Sequence, residues 1–200
     1  MKKSLINKTI VVASHNAGKI KEFKSLMSGF NLKILTSSEI KIENVAETGK
    51  SFEENAKIKA QSVPKKFISI ADDSGLCINS LNGKPGIFSS RYSKECGGWF
   101  NAMKKLYTEA SKKKPLLYSA KFYCAIAIRW PDGILNLYSG EVLGKLTWPP
   151  LGDNGFGYDP FFIPKNHKKT FGQMQHSQKI RIDHRYIAFK KLAKEHLTGN

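Results

Sequence analysis

An apolar run of strand length, Phe67-Ile68-Ser69-Ile70-Ala71, breaks off into two adjacent carboxylates, Asp72 and Asp73, followed by Ser74 and Gly75. The run has the length and β-branched content of a buried strand, and Ser74-Gly75 directly after it reads as a turn. The acids are thereby predicted at the carboxyl end of a central strand, where open α/β sheets hold their ligands. Neighbouring strand residues point to opposite faces, so both carboxylates serve one site only if the backbone turns here, which Gly75 permits. On their own the same residues favour a strand-to-turn corner in which Asp72 or Asp73 accepts backbone amides.

The chain before this strand has the same grammar. Thr9 to Ser14 is strand-like, and Ile20, Phe23, Leu26 and Met27 recur at helical spacing over Lys19 to Met27. Between them, Ser14-His15-Asn16-Ala17-Gly18-Lys19 presents helix-start amides and a lysine to an anion, as a phosphate cradle does. It matches no standard phosphate-loop pattern, and an ordinary connection with Asn16 as N-cap is the alternative. Phe30 to Leu35 reads as a second strand. An acidic segment through Glu39, Glu43 and Glu47 then leads to Ser51-Phe52-Glu53-Glu54, which has the form of a capping box opening a helix to about Val63.

Beyond the central strand, Cys77 to Leu81 reads as a returning strand with a hairpin-type turn at Asn82-Gly83, and residues 84–93 read as a loop ending in Arg91. Trp99 to Ala110 is helical by spacing. Tyr118 to Trp130 and Ile134 to Leu143 form a long hairpin about Pro131-Asp132-Gly133. Lys112-Lys113-Lys114 before Pro115 reads as exposed loop. In Leu151 to Pro160, glycines alternate with Phe156, Tyr158 and Asp159, either to hold a flat ligand or to close the core with aromatics. Residues 167–178 are polar and read as a loop. Lys179 to Arg185 leads into a final helix, with Asp183 as its candidate N-cap.

Composition sets the class. The 200 residues suffice for one domain, residues 1–200, with a substantial core. No apolar run approaches a membrane span, and the first residues lack the apolar stretch of a secretory signal, so the chain reads as cytoplasmic. Cys77, Cys96 and Cys124 are too widely spaced for a disulfide framework or a zinc site. The net charge of +17 attracts polyanions, yet arginine appears only at Arg91, Arg129, Arg181 and Arg185. Base readers favour arginine for its bidentate fork, so the lysine excess reads as a solvated surface that also draws in a polyphosphate, with no specific nucleic acid expected.

Taken together and in this order, Ser14 to Lys19, Phe52-Glu53-Glu54-Asn55-Ala56, Ala71 to Leu76, Pro85 to Ser93, Gly155 to Pro160 and His184-Arg185 resemble the bacterial inosine/xanthosine triphosphate pyrophosphatase family over nearly the whole chain. The resemblance implies an α/β fold with an elongated mixed β-sheet flanked by helices, two lobes with an active-site cleft between them, and a homodimer. It implies Mg²⁺-dependent hydrolysis of ITP, dITP and XTP to the monophosphate and pyrophosphate, clearing deaminated purines from the nucleotide pool. By position, Ser14, His15, Asn16, Ala17, Gly18 and Lys19 would hold the triphosphate. Asp73 would be general base and metal ligand, with Glu47 as second metal carboxylate, and Ser74 would touch substrate. Lys59 matches a family lysine. Phe156, Gly157, Tyr158 and Asp159 would flank the base, and Lys179, His184 and Arg185 would complete the base and phosphate pocket. The chain departs from the family at His15, where glycine is usual, and at Asp183, where serine is common. Competing readings are a pyrophosphatase acting on pyrimidine or ordinary nucleotides, and a nucleic-acid-binding protein without catalysis.

Overall fold

A computed structural model describes residues 3–113 and 118–198. Six strands form one mixed sheet in the order β2-β1-β3-β4-β5-β6, with helices packed on it, an α/β fold. The chain divides into two compact units. Residues 3–73, 124–140 and 185–198 make the first, and residues 74–113, 118–123 and 141–184 make the second.

In the first unit, β1 (Thr9–Val12) lies between β2 (Lys33–Thr36) and the start of β3 (Ile68–Ile78), parallel to both. Parallel strands need crossovers, which α1 (Ala17–Met27) and α2 (Phe52–Gln61) supply. The core joins Ile10 and Val12 of β1, Ile68 and Ile70 of β3, Phe23 and Met27 of α1, and Phe189 and Leu192 of α6 (His184–His196). From β4 (Ser119–Arg129) it takes Cys124, Ile126 and Ile128, every second residue, as one strand face must.

The second unit holds the rest of β3, α3 (Ser89–Glu95), α4 (Trp99–Ser111), the end of β5 (Leu135–Leu146) and β6 (Phe162–Pro164), which pairs antiparallel with β5. Leu76, Ile78, Met103, Leu106, Phe122, Phe161, Phe162 and Phe171 form its core.

Three expectations are corrected. β3 does not end at Ala71; it runs unbroken for 11 residues, so Ser74-Gly75 is strand rather than turn, and Cys77 and Ile78 continue it instead of returning. Gly75 is there for close approach: a Cβ would lie 2.3 Å from the Gly86 carbonyl oxygen and 2.5 Å from Ser89 Oγ. Residues 84–93 are not loop but a 3₁₀ turn, Gly86–Phe88, running into α3, in which the hydroxyls of Ser89 and Ser93 donate to the carbonyls of Gly86 and Ser90. Residues 167–178 contain a 3₁₀ turn at Phe171–Gln173 and α5 (His176–Lys179), each opened by a reciprocal side-chain cap, Thr170 with Gln173 and Gln175 with Gln178. Their polarity is capping chemistry, and Phe171 among them is fully buried. Lys112 and Lys113 are exposed, while Lys114 and Pro115 lie outside the described residues.

Candidate active site

Because β3 continues unbroken, Asp72 and Asp73 point to opposite faces, and each meets a different set of partners. Asp72 shares its face with Ile68 and Ile70, beneath α1 and α6. Its Oδ2 accepts from Arg185 Nε at 3.2 Å and from an Arg185 terminal nitrogen at 2.7 Å, and lies 3.2 Å from Lys19 Nζ. Glu22 takes the other arm of the Arg185 guanidinium. Arg185 is fully buried, held between two acids. Burial alone would raise the Asp72 carboxyl, but Arg185, Lys19 and Lys59 outweigh it and hold it well below the usual carboxylate range.

Asp73 shares its face with Ser69, whose hydroxyl donates to the Ala60 carbonyl of α2. Two side chains of that helix, one turn apart, reach Asp73: Asn55 Nδ2 donates to Oδ2 at 3.0 Å, and Lys59 Nζ lies 3.3 Å from Oδ1. The same ammonium lies 2.6 Å from Glu47 Oε1. Burial raises the Asp73 carboxyl above its ordinary value, Lys59 and Lys19 counter it, and Glu47 adds to the rise. Lys59 is desolvated too, yet Asp73, Asp72 and Glu47 together push it upward, so it stays a cation. Of the acidic segment, Glu39 is consumed locally, accepting from the Thr36 amide and hydroxyl, Glu43 is exposed, and Glu47 reaches Lys59 at the centre.

The turn from β1 into α1 adds donors to this unit. Asn16 caps the helix, its Oδ1 accepting from Lys19 N–H at 3.1 Å, while Ser14 Oγ accepts from Asn16 N–H. The amides of Ala17 and Gly18 fall in the first turn, where an α-helix provides no acceptor, and the helix end is positive. His15 is exposed and its Nε2 lies 2.9 Å from the Ile42 carbonyl, so the ring is tied back to the acidic segment.

The remaining candidates belong to the second unit. Asp159 Oδ2 accepts from Phe156 N–H at 2.8 Å and from Lys179 Nζ at 2.6 Å, an ion pair whose side chains are both 3% exposed. Lys179 Nζ also sits 4.8 Å from the centre of the Phe156 ring. Tyr158 is buried edge-on against Trp99 and closes the core, whereas Phe156 is half-buried and Gly157 follows it. His184 is buried and stacks on Phe122, with ring centres 4.8 Å apart and planes 10° apart. Ser74 is half-buried on β3, beside Asp73 in sequence. Asp183, the second departure, is fully buried directly before α6.

Sequence reasoning missed Glu22 and Asn55 and gave Asp72 no separate role. The signals were present: Glu22 is the one acid in α1, a helix otherwise basic, and Asn55 and Lys59 share a helical stripe with Ala56 and Ala60, too small to bury a face alone. Among the described residues no cluster of three or more His, Cys, Asp or Glu could hold a metal. Asp73 and Glu47 are two carboxylates converging on a cation. Mg²⁺ needs only one or two carboxylates when phosphate oxygens supply other positions, so this set fits that ion.

The model of the Ham1 family matches residues 10–195. A dITP/XTP pyrophosphatase of Zymomonas mobilis subsp. mobilis is 41% identical over 186 residues, 92% of this chain and 89% of the relative. One from Rhodopseudomonas palustris is 37% identical over 202 residues, 95% and 96% of the two chains. Two solved structures, a Ham1 protein from Staphylococcus aureus and a HAM1 protein from Coxiella burnetii, superpose with TM-scores of 0.81 and 0.85 at 37% and 34% identity. Each comparison covers 93% of this chain and 96% of the other.

Proposed function

Because the chain belongs to the Ham1 family, we propose that it hydrolyses non-standard purine nucleoside triphosphates, ITP, dITP and XTP, to the monophosphate and pyrophosphate. The observation that carries this reading is the centre on β3, where the Lys59 ammonium lies between Asp73 and Glu47. Relatives named dITP/XTP pyrophosphatase support the substrate class.

In the reaction, a water oxygen attacks the α-phosphorus, the bond to the bridging oxygen of the leaving pyrophosphate breaks, and the water's proton passes to a base. Asp73 is that base. Asn55 Nδ2 and Lys59 Nζ fix the orientation of its carboxylate. Lys59 and Lys19 and the first-turn amides of α1 neutralise the phosphate oxygens. Asp73 and Glu47 would hold Mg²⁺, which when bound neutralises the polyphosphate and polarises the phosphorus under attack. Asp72 works at one remove: paired with Lys19 and Arg185, it holds the lysine at the helix start.

The half-buried Phe156 ring offers a stacking surface for the base, and Lys179, pinned against it by Asp159, is a group that only donates. A 6-oxo purine presents an acceptor to such a donor, whereas the amino group of adenine would oppose it and leave it unpaired. The reading extends to a cytoplasmic homodimer. A nucleic-acid-binding reading gives the Asp73–Lys59–Glu47 centre no role. The test is pyrophosphate release from ITP, dITP, XTP, ATP, GTP and dTTP, with Mg²⁺ and then with chelator. Mg²⁺-dependent release confined largely to the first three is expected; equal turnover of ATP and ITP, or none of any nucleotide, contradicts the proposal.

A further inference from the structure

Asn55 is fully buried in the first turn of α2, and both ends of its amide are engaged. Oδ1 accepts the Gly49 N–H at 2.8 Å, and Nδ2 donates to Asp73 Oδ2 at 3.0 Å. A backbone amide can only donate, which fixes the oxygen toward Gly49 and turns the NH₂ toward the carboxylate. Gly49 lies two residues beyond Glu47, in the extended segment before α2. It is pressed so closely on the helix that a Cβ would lie 2.7 Å from Asn55 Oδ1 and 2.6 Å from Glu54 Cβ. Its backbone is not in the left-handed region, so glycine is required here by contact rather than by conformation. The Lys50 N–H donates to the Glu54 carboxylate at 2.7 Å and ties down the same segment one residue further on. Glu47 has no strand or helix of its own to hold it. The Gly49–Asn55–Asp73 chain of hydrogen bonds connects its segment to β3.

We infer that Asn55 is a positioning residue: with Gly49 it forms a bracket that holds the segment carrying Glu47 against Asp73, the two carboxylates assigned above to a divalent cation. The inference rests on the reading of these two carboxylates given above. Partners that orient metal ligands commonly change metal affinity by about 10- to 100-fold when removed, and the bracket acts on both ligands at once. It makes no contact with Phe156 or with the α1 turn that carries Lys19, so its loss is felt first at the two carboxylates and the Lys59 ammonium between them.

The test is Mn²⁺ titration of the full-length protein, followed by the loss of the free-ion electron paramagnetic resonance signal, alongside the Mg²⁺ dependence of ITP turnover. Asn55→Leu keeps the side chain's size and removes both hydrogen bonds. Gly49→Ala breaks the bracket from the other side, should the buried substitution impair folding. Both variants are expected to weaken Mn²⁺ binding and to raise the Mg²⁺ concentration for half-maximal rate by about 10-fold or more. The double variant should be no weaker than the worse single one, because both act on one bracket. Mn²⁺ affinity unchanged in both variants, or a loss fully accounted for by the unfolded fraction, overturns the inference. Glu47→Gln and Asp73→Asn run in parallel: if these leave Mn²⁺ binding unchanged, the assignment of the two ligands fails and the bracket falls with it.

Discussion

Asp72 and Asp73 are adjacent, chemically identical and both buried, yet the fold treats them oppositely. The Asp72 carboxylate is stabilised by Arg185, Lys19 and Lys59 beyond the cost of its burial, and the Asp73 carboxyl is pushed toward its protonated form. Opposite mutational signatures follow. Asp73→Asn should lower kcat by about 10²- to 10⁴-fold, the usual worth of a general base, while thermal unfolding stays at or above the wild-type temperature. Asp72→Asn takes one of its two acids from the buried Arg185 and should cost about 3 to 5 kcal/mol, the penalty for breaking a buried ion pair from one side, measured by urea denaturation. Equal destabilisation by the two substitutions would contradict the assignment of separate roles. The sequence marked this pair as the centre of the chain. It could not divide the labour, because that depends on which helix covers which face of the strand, and Arg185 is 113 residues away.

At the scale of elements, regular periodicity was legible and contact-driven structure was not. The β1–α1 connection, the Asn16 cap, α4 and the β4–β5 hairpin follow from apolar spacing and turn residues, and the structure has them. The Ser51 hydroxyl accepts the Glu54 N–H as the capping pattern predicts, although the Glu54 carboxylate turns to Lys50. Gly75 misled because a glycine after acids resembles a turn, when its cause is the Gly86 carbonyl pressed against β3 from a segment read as loop. Gly75→Ala tests that cause: the Cβ has no room, and overpacking of about 1 to 3 kcal/mol is expected in chemical denaturation. A neutral or stabilising effect would mean that the backbone there is not tightly apposed. In the candidate site, Ser14 to Lys19 were legible as one motif, but the Asn55–Gly49 contact joins a helix residue to a segment before the helix that has no periodicity of its own.

For the whole molecule, charge said less than arrangement. A net charge of +17 is compatible with many polyanionic partners, whereas the ion pairs of Lys19 with Asp72, Lys59 with Asp73 and Glu47, and Lys179 with Asp159 give particular lysines a place in the proposed reaction. The family resemblance read from ordered motifs and the match of the Ham1 family over residues 10–195 agree on the same stretch of chain. In the proposed reaction water attacks the α-phosphorus of a 6-oxo purine triphosphate. Turnover of ITP in ¹⁸O-labelled water, with the label located by mass spectrometry, reads that step. One ¹⁸O in the monophosphate and none in the pyrophosphate is predicted, whereas label in pyrophosphate, or release of orthophosphate with a diphosphate product, would contradict it.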